Sequence, residues 1–197
     1  MADQFIVTIG REFGSGGKHI GRALAKELGV NLYDRNIVEK IAQELDTDAE
    51  HLHKYAEKKR RLFFNRTVNG HTTALEDHVI EHQFDYIRRL ADSGESFVIV
   101  GRCAEDVLRE RKGVISIFVK GERQYRIGRV MEQFELSREA ATEKMDRHDK
   151  TRRAYHDHYC KGKWGDINNY DLCIEASHFK TAGTANFLAE YVRKRLG

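Results

Sequence analysis

Four glycines at positions 10, 14, 16 and 17, set between an apolar run and a helical stripe, constrain this chain more than any other feature. Phe5, Ile6, Val7 and Ile9 form a short, β-branched run of the kind that suits a parallel strand covered on both faces. Ile20, Leu24 and Leu28 then fall at i, i+4 and i+8, one stripe of a helix that packs on a sheet. The glycines between supply the backbone freedom for a tight loop whose successive N–H groups point inward at an anion. The helix start adds unsatisfied N–H groups and the positive end of its dipole. Residues 5–29 therefore read as a phosphate cradle, with Gly14, Ser15, Gly16, Gly17, Lys18 and His19 as the ligand-facing set.

Further apolar runs at about 30–33, 96–100, 114–119 and 169–175 predict four more strands, separated by helical stretches. This alternation predicts an α/β fold with a five-stranded parallel sheet, flanked by helices and joined by right-handed crossovers. Asp34 stands after the second strand, both as a plausible N-cap of a helix over 35–45 and at the sheet edge where such folds place ligands. The third strand ends in Gly101-Arg102, which puts a planar, two-pronged phosphate donor at the same edge. Ser137 reads as the N-cap of a helix carrying Arg147, Lys150, Arg152 and Arg153. The three-residue spacing of Arg147, Lys150 and Arg153 predicts a cationic ridge, with Arg152 beside it. Arg123, Arg126 and Arg129 share one side of the preceding helix and read as solvent-exposed.

Composition excludes several classes. A chain of 197 residues with 40% hydrophobic content suits one domain with a sizeable core, and 33% charged residues with no long apolar run argue against a membrane span. A net charge of +3 is too mild to argue nucleic-acid binding, and the Lys58–Arg61 run reads as a solvated helix face. Three widely spaced cysteines and no leader-like N-terminus predict a soluble, cytoplasmic protein with reduced thiols. Cys103 reads as a packed residue. His156, His158 and Cys160 lack finger-type spacing, so no metal-ligand set is expected from the protein.

The run from Gly14 to Gly29, with Leu32-Tyr33-Asp34, Gly101-Arg102 and the basic helix ahead of paired tyrosines, resembles the cytidylate kinase-like family of P-loop proteins. The resemblance implies a three-layer P-loop kinase fold in a single domain over 1–197, with a helical acceptor-binding segment at about 46–93 and a lid at about 137–166. It implies ATP and Mg2+ as cofactors and nucleotides as substrates, CMP or dCMP first. Arg102 and Asp34 then meet the acceptor, Arg147, Lys150 and Arg153 serve as lid cations, and Lys18 or Arg11 replaces the P-loop lysine. Gly17 stands at the family's lysine position, His19 at its magnesium-binding hydroxyl and Cys103 at an acceptor-reading Asp. A small-molecule hydroxyl kinase with Asp34 as base and a catalytically silent nucleotide-binding regulator are the competing readings.

Overall fold

A computed structural model of the chain describes residues 4–34, 37 and 73–197, with the backbone alone for 73–79. The expected helix over 35–45, apart from Ile37, and the Lys58–Arg61 run lie outside the described residues. Strand β1 (Ile6–Arg11) leads through the glycine loop into helix α1 (Gly17–Leu28) and strand β2 (Asn31–Tyr33). Helix α2 (Thr73–Asp92), β3 (Phe97–Val100), the short α3 (Ala104–Val107) and β4 (Val114–Lys120) follow. Helices α4 (Arg123–Phe134) and α5 (Arg138–Tyr159), a 3-10 turn at Ile167–Asn169, β5 (Leu172–Glu175) and α6 (Lys180–Leu196) complete the fold. The sheet has five strands in the order β2-β3-β1-β4-β5, every neighbouring pair parallel.

Strand alternation splits the core into two layers. Val7 and Ile9 of β1 face Ile20 and Leu24 of α1 and Leu188 and Val192 of α6, while Ile6 turns to the opposite layer with Ile87, Phe97 and Ile99. Strand β5 starts later than expected because residues 167–169 wind into a 3-10 turn capped by the Asp166 carboxylate, which accepts the Asn168 N–H at 3.0 Å. Ser137 does cap α5, accepting the Ala140 N–H at 3.3 Å. No helix among the described residues is long and apolar enough to cross a membrane.

The central position of β1 brings the carboxyl ends of β1, β2 and β3 to one edge of the sheet, where the cradle, Asp34 and Gly101-Arg102 meet. Helix α1 approaches β3 so closely that a Cβ at Gly21 would lie 2.7 Å from the Val100 Cγ2. Helix propensity alone predicts that Gly21→Ala stabilises the protein by about 1 kcal/mol. The clash is expected to dominate, so that the variant loses about 1–3 kcal/mol in urea denaturation; a gain would show that α1 moves away freely.

Candidate functional site

The phosphate loop is shaped from within. Gly14 and Gly16 adopt φ angles of 80° and 86°, and the buried Ser15 hydroxyl donates to the Glu12 carbonyl at 2.9 Å and accepts the Gly17 N–H at 3.4 Å. Ser15 thus braces the loop with its side chain instead of offering it to a ligand. The first helical bond of α1 runs from the Ile20 N–H to the Gly16 carbonyl at 2.9 Å, so the Lys18 and His19 amides fall in the first turn, which has no intrahelical acceptor. No side chain caps this helix and no acidic residue lies in its first turn, which leaves the dipole end open to an anion.

Two cations stand at the loop. The Arg129 guanidinium overlies Gly16, where an added Cβ would lie 3.4 Å from its central carbon, and it rests on the Tyr125 ring at 5.7 Å. Lys18 Nζ reaches Asp34 Oδ2 at 2.8 Å, bridging the loop to the end of β2. Burial lowers the His19 imidazole pKa below 6.5, and Arg129, Arg22 and Lys18 push it the same way, so His19 stays neutral in this cationic setting.

A buried ion network holds the loop to the helices above it. Arg126 Nη1 donates to Asp149 Oδ2 at 2.5 Å and to the Phe13 carbonyl at 3.1 Å, and its Nε lies 3.5 Å from Glu12 Oε2. Asp149 Oδ1 accepts the Phe13 N–H at 2.7 Å, and Glu12 Oε2 accepts the Gly121 N–H at 3.0 Å. Arg126 is therefore structural and buried rather than exposed. The apolar stripe Ile127 and Val130 carried the signal, since Arg126 borders it directly on the helix surface.

Across a cavity of about 430 Å³ from the cradle lies a second polar wall. Gly101, Arg102 and Cys103 take φ angles of 75°, 65° and 56°, three successive left-handed residues, two of which carry a Cβ. Such geometry costs about 1–2 kcal/mol per non-glycine residue and concentrates at functional sites. Gly101 is required here because a side chain would collide with the Arg11 guanidinium, which lies across it. Arg102 Nη1 donates to Gln83 Oε1 at 3.0 Å, and the buried Gln83 amide donates in turn to the Tyr155 hydroxyl at 3.2 Å. Arg11, Lys18, His19, Asp34 and Arg102 all line this one cavity.

Helix α5 presents a different face from the one its basic spacing suggests. His148, Arg152, Tyr155 and His156 line the cavity, whereas Arg147, Lys150 and Arg153 lie on the exposed side. Arg153 stacks over the Trp164 ring at 5.2 Å. Arg152 donates to the Arg11 carbonyl at 3.1 Å and lies 5.4 Å over the Phe13 ring, which also stacks on His148 at 4.2 Å. Extending the buried Ala141 and Met145 in steps of three and four reaches 148, 149, 152 and 156, a signal the charge pattern masked.

Residues 6–178 match the cytidylate kinase-like family. An uncharacterized protein from Eubacterium ventriosum shares 32% identity, covering 98% of this chain and 100% of its own, with a TM-score of 0.77. Shikimate kinases from Bacteroides thetaiotaomicron and Aquifex aeolicus share the fold, each at 12% identity, with TM-scores of 0.58 and 0.53. The first covers 96% of this chain and 98% of its own, the second 98% and 100%. No curated protein matches the sequence.

Arg126→Ala strands two partly buried carboxylates and is expected to cost about 3–5 kcal/mol in denaturant unfolding; a loss under about 1 kcal/mol would show the network idle. The depressed His19 pKa contributes stability that is present above pH 6.5 and is lost as pH falls through the folded value. By NMR, His19 is expected to titrate below 6.5 in the free protein and to move upward when inorganic phosphate or ATP is added. An unmoved His19 would place the anion elsewhere.

Proposed function

This chain belongs to the cytidylate kinase-like family, and from that premise we propose that it is an ATP- and magnesium-dependent phosphotransferase acting on a nucleoside monophosphate, CMP or dCMP first. The observation that supports this most is the single cavity joining an uncapped glycine cradle to a wall bearing Arg102 and Asp34. The loop amides and Arg129 bind the donor phosphates, and Lys18 on its flexible stem swings between them and Asp34. Arg102, anchored by Gln83, takes the acceptor phosphate. Arg152 and Arg11 line the space between the two halves, where charge develops on the transferring group. Magnesium bound with the nucleotide supplies charge neutralisation. The His19 nitrogen is a poor partner for so hard a cation, so the nucleotide's own phosphate oxygens would hold it beside the loop.

A second reading, phosphorylation of a small hydroxyl compound, is favoured by Asp34 itself. Its carboxylate is only 15% exposed yet lines the cavity, which supports a general-base role toward a hydroxyl. A phosphate acceptor is already an anion and needs little such help.

ADP release from ATP and magnesium across CMP, dCMP, UMP, AMP, GMP and small alcohols tests both readings, with release expected to depend on CMP or dCMP. Asp34→Asn is expected to slow a hydroxyl acceptor by roughly 10²–10⁴-fold and a monophosphate by far less. Equal losses for both would remove the base role. A protein that ATP stabilises against heat but that releases no ADP with any acceptor is a nucleotide-binding protein and not a kinase.

A further inference from the structure

At the wall of the cavity three side chains capable of binding a soft or borderline metal converge, Glu105, His156 and Cys160, with Cys103 beside them. His156 and Cys160 occupy i, i+4 positions at the C-terminal end of α5, and Cys103 and Glu105 flank the start of α3. The ligand atoms of Glu105, His156 and Cys160 lie within 4.8 Å of one another, and the buried Cys103 thiol neighbours that of Cys160 just outside this set. Zinc bonds of about 2.0–2.3 Å imply tetrahedral ligand separations of about 3.3–3.8 Å, so small side-chain movements would close the set.

Two features distinguish this cluster from an ordinary buried polar contact. His156 Nε2 faces Glu105 Oε1 at 2.9 Å with both side chains at least nine-tenths buried, yet Glu105 Oε2 and His156 Nδ1 have no hydrogen-bond partner. Thiols are weak donors, so nothing among the four groups satisfies that carboxylate oxygen. An outer layer is also in place. Asp157 Oδ1 lies 3.5 Å from His156 Nδ1 and is itself fixed by the Trp164 N–H at 2.8 Å, while the Tyr170 hydroxyl lies 3.5 Å from Glu105 Oε1. A carboxylate behind the far nitrogen orients a histidine for coordination through the near one.

We propose that Cys103, Glu105, His156 and Cys160 form a tetrahedral zinc site that ties the end of α5 to the Gly101–Cys103 turn. Two sulfurs, one nitrogen and one oxygen favour zinc over magnesium, so this site is distinct from the one that accompanies the nucleotide. Cys103, Glu105 and His156 line the cavity, which gives the ion an entry path. The inference does not depend on the phosphotransferase reading. It follows from the site that the metal fixes the backbone carrying Arg102.

Cobalt titration of the full chain, kept reduced with a non-thiol reductant, tests it. One equivalent of Co2+ is expected to give a thiolate-to-cobalt charge-transfer band with tetrahedral d–d absorption, both bleached by Zn2+. Cys160→Ser is expected to abolish the band and Cys103→Ser to weaken it about twofold, while Cys173→Ser, in a separate aromatic cluster, leaves it intact. Among the described residues the other carboxylate and histidine cluster, Glu122, Glu175 and His178, contains no sulfur and cannot produce this band. As a second readout, Zn2+ is expected to raise the melting temperature of the wild type but not of folded Cys160→Ser. Absence of the band in the wild type, its full retention in either Cys103→Ser or Cys160→Ser, or an equal thermal shift in wild type and Cys160→Ser would overturn the proposal.

Discussion

The Arg126 guanidinium, 8% exposed, touches the Glu12 and Asp149 carboxylates and the Phe13 carbonyl, and the loop, α4 and α5 all depend on it. A charge buried this deeply is tolerable only when its partners are close and hydrogen-bonded. Hydrogen bonds to Asp149 and the Phe13 carbonyl, with the Glu12 carboxylate 3.5 Å from Nε, meet that need and fix three elements at one point. Because Asp149 also receives the Phe13 N–H, the loop backbone and α5 share one carboxylate. The phosphate cradle is thereby held in shape before any ligand arrives, which is where electrostatic stabilisation of phosphoryl transfer is most effective.

The strained turn after β3 plays the matching part on the other wall. Backbone at positive φ through Gly101, Arg102 and Cys103 lets Arg11 lie flat across the turn and aims Arg102 along α2 to Gln83. The same turn delivers Cys103 and Glu105 to the end of α5. One short segment thus serves the cavity wall that bears Arg102 and the proposed metal site together.

Much of this was legible in the sequence because it rests on local periodicity. The strand, glycine loop and helix at the start, the parallel order of strands and the Ser137 cap all follow from patterns a few residues long. What escaped was set by contacts distant in sequence. Arg126 looked like one of three exposed arginines, since only the fold brings Asp149 to it. Arg147, Lys150 and Arg153 made the more obvious cationic ridge, yet α5 rotates to bury the stripe that continues Ala141 and Met145, and Arg152 enters the cavity instead. The neighbourhood of His156 and Cys160 was likewise hidden, because Glu105 reaches them from α3, some fifty residues earlier.

The Lys18 to Asp34 ion pair spans both halves of the cavity. On the proposed reading, a donor phosphate that draws Lys18 to the loop would take this cation away from Asp34 on the acceptor side. The two ligands would then be linked through Lys18, with a coupling free energy that is the same whichever binds first. Its sign depends on the acceptor's charge: a hydroxyl that donates to Asp34 is bound more tightly once the donor is seated, and a second anion less tightly.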